Sequence, residues 1–160
     1  MNKISDKIYL GNYESAKNEE ILKQNNINRV ISCLGHLSPK YKNKLIKRKI
    51  FNIVDNPSTN IIKYFIESIK FIEESDDKVL VHCSAGLSRS ASLVIAYFMW
   101  KNKLTYKESF EFVKKNRFIG PNVGFVKQLL IFEEQLKKVN YDLEQLNLDN
   151  FVWTGIKKNS

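Results

Sequence analysis

The chain has 160 residues, of which 43% are hydrophobic and 27% charged, with two cysteines and a net charge of +9. Such a chain forms one globular domain with a sizeable core, and its composition excludes a disordered, collagen-like or solenoid polypeptide. No apolar run reaches the ~18–20 residues of a membrane span. The opening Met1-Asn2-Lys3-Ile4-Ser5 has neither the apolar core of a secretory signal nor the glycine that myristoylation requires. Two cysteines at unrelated spacing build neither a disulfide framework nor a zinc site.

Taken in order, Ile8-Tyr9-Leu10 reads as a short strand ending at Gly11, and Ala16 to Asn25 as a first helix with Ile21 and Leu22 on one face. Asn28 to Leu34 is a β-rich run expected to form a central strand, carrying Cys33. Cys33 has two readings: a small core residue, or a thiol able to capture an oxidised neighbour. Six of the ten residues from Lys40 to Lys49 are basic, which suits a solvated surface or a docking face for an acidic partner. Ile50 to Val54 is the next expected strand, ended by Asp55. Pro57 breaks regular structure, and Asn60 to Glu74 follows as a helix with Ile62, Phe65, Ile66, Ile69 and Ile72 in one stripe. Asp76-Asp77 turns the chain into Val79-Leu80-Val81, a buried strand.

The next stretch organises the rest. His82 to Ser90 (HCSAGLSRS) is a tight loop, and Ala91 to Trp100 an almost wholly apolar helix. Strand, loop and buried helix together present unpaired backbone amides and a positive dipole end to an anion. The loop holds one nucleophile, Cys83, and six positions later one guanidinium, Arg89. A loop curled around a tetrahedral oxyanion aims the amides from Ser84 to Arg89 inward, through Ala85, Gly86, Leu87 and Ser88, while Arg89 grips two oxygens with its planar fork. The same positive environment favours the thiolate of Cys83. Gly86 permits a backbone conformation that a side chain disfavours, and the Ser90 hydroxyl falls near the sulfur.

This loop resembles the H-C-x-x-G-x-x-R-S/T signature of cysteine-dependent protein phosphatases, in the HCxAGxSRS form of dual-specificity phosphatases. The opening IYLGNYESAKNEEILKQNNINRVISCL resembles the start of the same domain, and Arg117 to Phe125 (RFIGPNVGF) its R-x-x-x-x-P-N-x-G-F segment. The resemblance covers residues 5 to 139 and implies an α/β fold, a twisted, mostly parallel sheet of four or five strands flanked by helices. It implies protein phosphomonoester hydrolysis through a cysteinyl-phosphate, with Cys83 as nucleophile, Arg89 and the loop amides on the phosphoryl oxygens, and Ser90 assisting thiolate release. His82 is read as orienting the Cys83 backbone. Asp55, an acid closing a strand before a variable loop and a helix, matches the family's general acid, whose task is to protonate a poor leaving oxygen. Asn122 matches an Asn that supports the phosphate loop in the family; the other reading is a turn or helix-cap Asn.

Before that segment, Thr105 with Glu108 reads as a capping box opening a helix to Lys115. After it, Val123 to Val139 is a final helix burying Phe125, Val126, Leu129, Leu130 and Leu136. The tail from Asn140 to Ser160, with Phe151 and Trp153, carries no motif and is open to docking back, binding a partner or disorder. No cofactor or metal is expected, since Arg89 and the amides supply the positive charge. Phosphorylated proteins are the expected partners, with no nucleic acid, no membrane span, and a cytoplasmic or nuclear setting that keeps the thiol reduced. Two rivals use the same loop: an RNA 5′-triphosphatase, which would suit the basic surface, and a phosphate-binding module without turnover.

Overall fold

The structure is a computed structural model, and it describes residues 1–155. Its sheet has five strands in the order β1 (Asn2–Lys3), β2 (Ile8–Gly11), β5 (Lys78–His82), β3 (Ile27–Ser32) and β4 (Lys47–Ile50). All neighbours pair in parallel except β1, which runs antiparallel to β2. The central strand β5 is buried on both faces, which explains its unbroken Val79-Leu80-Val81 run.

Helices cover both faces, as expected. On one side α3 (Phe65–Glu73), α4 (Arg89–Lys101), α5 (Tyr106–Lys114) and α6 (Val123–Lys138) enclose the larger core, with Phe65, Ile69, Phe125 and Phe132 fully buried. On the other, α1 (Tyr13–Ala16), α2 (Glu19–Gln24) and Tyr41 and Ile46 cover Tyr9, Val30 and Leu80. The capping box is present: Glu108 N donates to Thr105 Oγ1 at 3.1 Å, and Thr105 N to Glu108 Oε1 at 2.9 Å. Arg29 is fully buried beneath α3; it bonds the Phe71 carbonyl and Glu74 and lies over the Phe71 ring.

Three local expectations need correction. The helix expected over Ala16–Asn25 is the shorter α2, because the Asn18 side chain caps its first turn through Ile21 N, while Ala16 ends the separate α1, capped by Asn12 through Ser15 N. The strand expected at Ile50–Val54 is formed by Lys47–Ile50 instead. That strand is a sheet edge, where lysines replace an apolar face and discourage pairing with other chains. Residues 51–53 stay extended and alternate in burial like a strand, yet form only one bridge, Leu34 with Asn52. In α6 Leu130 is exposed, and Phe132 takes the core position.

The tail docks back as far as it is described. Trp100 Nε1 donates to the Tyr141 carbonyl at 3.0 Å, Glu144 pairs with Lys70 of α3, Leu148 is buried, and the Phe151 carbonyl then meets Asn60. Residues 156–160 of the tail lie outside the described residues.

Candidate active site

Parallel strands deliver their carboxyl ends to one sheet edge, and that edge assembles the site. Tyr13 follows β2, Cys33 follows β3, Asp55 follows β4 through the extended residues 51–53, and Cys83 follows β5. Ser32 and His82 are register partners, so Cys33 and Cys83 sit at the ends of adjacent strands; both thiols are free. Burial, with a smaller push from Cys83, moves the Cys33 thiol well up, which fits its place in the core.

The Cys83–Ser88 loop is built by satisfying its carbonyls from outside. The Ser84 carbonyl accepts from Tyr13 N at 3.0 Å, and that of Leu87 from Gly120 N at 2.9 Å. Between them, Ala85 O accepts from Arg117 Nη2 and Gly86 O from Arg117 Nε, both at 3.0 Å. In a planar trans peptide the N–H points opposite to the C=O. Four outward carbonyls therefore turn the amides of Ala85, Gly86, Leu87 and Ser88 toward the hollow of the loop. The Gly86 amide confirms the direction, donating to Cys83 Sγ at 3.2 Å. Gly86 has φ +71°, and a Cβ there would stand 2.5 Å from the Gly11 carbonyl oxygen, so both conformation and space require glycine.

The nucleophile is set within this hollow. Cys83 Sγ lies 3.1 Å from Ser90 Oγ. Burial pushes its thiol up, but hydrogen bonds from the Ser90 hydroxyl and amide, the Gly86 amide and the Arg89 charge outweigh it, and the net shift is downward. His82, fully buried, donates from Nδ1 to the Cys83 carbonyl at 3.1 Å. Burial lowers its pKa to about 4 despite that bond, so the ring is neutral at pH 7. The start of α4 carries no side-chain cap, leaving its first amides available to an anion. Arg89 is tied by Nη1 to the Ile53 carbonyl at 3.1 Å, while its buried Nε has no partner, a donor ready for a phosphoryl oxygen.

Asp55 is exposed, and Asn122 Nδ2 donates to its Oδ1 at 2.8 Å. Asn122 thereby does three things. Its side-chain oxygen caps α6 through Phe125 N at 2.9 Å, its backbone amide donates to Ser88 Oγ at 3.0 Å, and its side-chain amide holds Asp55. The bond to the phosphate loop runs through the backbone, while the side chain goes to the acid and the helix cap.

Behind Asp55 the chain is packed on α6. A Cβ on Gly124 would stand 2.0 Å from the Pro57 carbonyl oxygen, and Gln128, fully buried, accepts from Ile61 N at 2.8 Å and donates to Thr59 O at 2.9 Å. Sequence reasoning quoted Arg117 without a role and passed over Gln128. The spacing of Arg117 from Asn122 was visible, but only folding shows that its guanidinium faces two loop carbonyls.

Cys83 in its amide nest and Arg89 stand at one sheet edge with Asp55, which follows β4 on the far side of β3 from β5, an arrangement that fits a phosphatase. The model of the dual specificity phosphatase catalytic domain matches residues 8–135, and the chain belongs to that family. MAP kinase phosphatase with leucine-rich repeats protein 1 of Dictyostelium discoideum is 44% identical over 138 residues, covering 84% of this chain but 16% of its own length. Human dual specificity protein phosphatase 22 is 38% identical over 138 residues, covering 84% of this chain and 74% of its own. Among solved structures, DUSP15 superposes with a TM-score of 0.80 at 34% identity, covering 91% of this chain and 96% of that one.

Proposed function

We propose that the chain hydrolyses phosphomonoesters on proteins, accepting phosphotyrosine and phosphoserine or phosphothreonine, through a cysteinyl-phosphate. One observation carries the reading: Cys83 Sγ sits against the Gly86 amide in a loop whose carbonyls from Ser84 to Leu87 are all bonded outward. The Cys83 thiolate attacks phosphorus in line with the ester oxygen. The inward amides and Arg89 stabilise the charge on the equatorial oxygens. Asp55 gives its proton to the departing oxygen and then takes one from the water that cleaves the S–P bond, while Ser90 stabilises the released thiolate. His82 holds the Cys83 carbonyl. Such a nucleophile works in a reducing compartment, cytosol or nucleus.

The test is steady-state hydrolysis of matched phosphotyrosine and phosphothreonine peptides. Wild type turns over both, Cys83→Ser neither, and Asp55→Ala is slower by roughly 10²–10⁴, the range of a positioned general acid. Activity confined to phosphotyrosine overturns the dual specificity. No turnover on either peptide, with release of the γ-phosphate from triphosphorylated RNA, favours the RNA enzyme; binding without turnover favours the recognition module.

A further inference from the structure

We propose that residues 148–155 form a strap that positions the Asp55 loop, with Trp153 as its positioning residue; this rests on the reading of Asp55 as general acid. The loop from Asp55 to Asn60 has two sides. Its inner side lies on α6 through Asn122, Gly124 and Gln128. Its outer side is covered by the tail. Trp153 Nε1 donates to the Pro57 carbonyl at 2.8 Å, Asn60 Nδ2 donates to the Phe151 carbonyl at 3.1 Å, and Gly155 lies against Ser58.

Pro57 is the pivot. It has no amide, so its carbonyl is its one backbone polar group. That oxygen is pressed by Gly124 from within and receives the indole N–H from outside, two residues after Asp55. The strap is itself anchored: Leu148 is 7% exposed in the main core, and Phe151 packs against it. Held from both sides, the loop keeps the carboxyl where Asn122 meets it. The strap lies beyond residue 135, where the match to the family domain ends.

A positioning role for the acid has a signature that a stabilising role lacks. General acid catalysis matters most when the leaving oxygen is most basic. The experiment measures kcat/KM, which reports only the steps up to departure of the leaving oxygen and not the later hydrolysis of the common cysteinyl-phosphate, for wild type, Trp153→Phe, Asn60→Ala and Asp55→Ala on p-nitrophenyl phosphate, phenyl phosphate and a phosphothreonine peptide. Trp153→Phe keeps the ring and removes the donor. The expected result is a loss of about three- to tenfold on phenyl phosphate and the peptide, the scale of one hydrogen bond, with p-nitrophenyl phosphate within about twofold of wild type. Asn60→Ala follows the same pattern. In the Asp55→Ala background Trp153→Phe adds nothing, because both act through one group.

An equal loss on all three substrates, or none on any, overturns the strap when Asp55→Ala itself shows the leaving-group dependence. Should Asp55→Ala be flat across the series, the acid assignment falls and the strap's purpose with it. The two failures are therefore distinguishable.

Discussion

Asn122 bonds Asp55 with its side-chain amide and Ser88 with its backbone amide, so one residue at the start of α6 spans the acid and the phosphate loop. Its side-chain oxygen meanwhile caps the helix. These duties separate by substitution. Asn122→Ala loses both the cap and the acid contact, costing about 0.5–2 kcal/mol in urea unfolding. Asn122→Ser keeps a capping oxygen and near-native stability, yet its short side chain no longer holds Asp55. Both variants are expected to lose about tenfold in kcat on phosphopeptides, the worth of one charge-assisted hydrogen bond. Full activity in Asn122→Ser would show that Asp55 needs no such support.

The Ser90 hydroxyl heads the contributions that lower the Cys83 thiol against the opposing effect of burial. Removing it in Ser90→Ala moves the midpoint of iodoacetamide alkylation against pH upward. The wild-type thiolate, favoured in the fold, adds stability that is fully present above the unfolded thiol's pKa and is lost as pH falls through the folded value. An unchanged alkylation midpoint in Ser90→Ala would remove Ser90 from the activation of the thiol.

His82 sets a second pH dependence. Its folded pKa of about 4 lies below the ordinary 6.5, so between these values the unfolded chain binds the proton that the folded chain refuses. Stability falls as pH drops through that window, by roughly 3 kcal/mol for this one group. Urea unfolding at pH 7 and pH 4 tests it: His82→Gln loses less across the interval than wild type. Equal losses in the two proteins would assign the acid limb to carboxylates alone.

Arg117 holds the loop by a two-pronged contact that lysine lacks the geometry to copy. Arg117→Lys is expected to weaken competitive inhibition by inorganic phosphate by about tenfold, since each lost prong frees a carbonyl to turn inward. Retention of phosphate affinity in Arg117→Lys would mean that the loop keeps its shape without the fork.

Gly124 allows α6 to touch Pro57, and a methyl there meets backbone that has little room to yield. Gly124→Ala is expected to destabilise by about 1–3 kcal/mol, as overpacking does, although alanine favours helix. A neutral or stabilising result in thermal unfolding would show that the acid loop moves aside freely.

Much of this molecule was legible as sequence because local chemistry wrote it there. Val79 to Trp100 specifies a buried strand, an anion-binding loop and a buried helix from apolar runs interrupted at fixed offsets by Cys83, Gly86, Arg89 and Ser90. Thr105 and Glu108 announce their own cap, three residues apart. Where periodicity carried no information the reading slipped. The edge strand Lys47–Ile50 has no buried face to record, and Asn18 starts a helix that composition alone begins earlier.

The tertiary structure decided what lies between segments distant in the chain. Arg117 reaches Ala85 and Gly86, Asn122 reaches Asp55, and Trp153 reaches Pro57, across separations of 31 to 96 residues. A hydrogen bond acts over about 3 Å whatever the sequence distance, so no local pattern encodes it. The loop's residue types set an anion-binding turn with a thiol in it. Only the parallel sheet, bringing four strand ends to one edge, sets Tyr13, Cys33, Asp55 and Cys83 at the same end of the molecule.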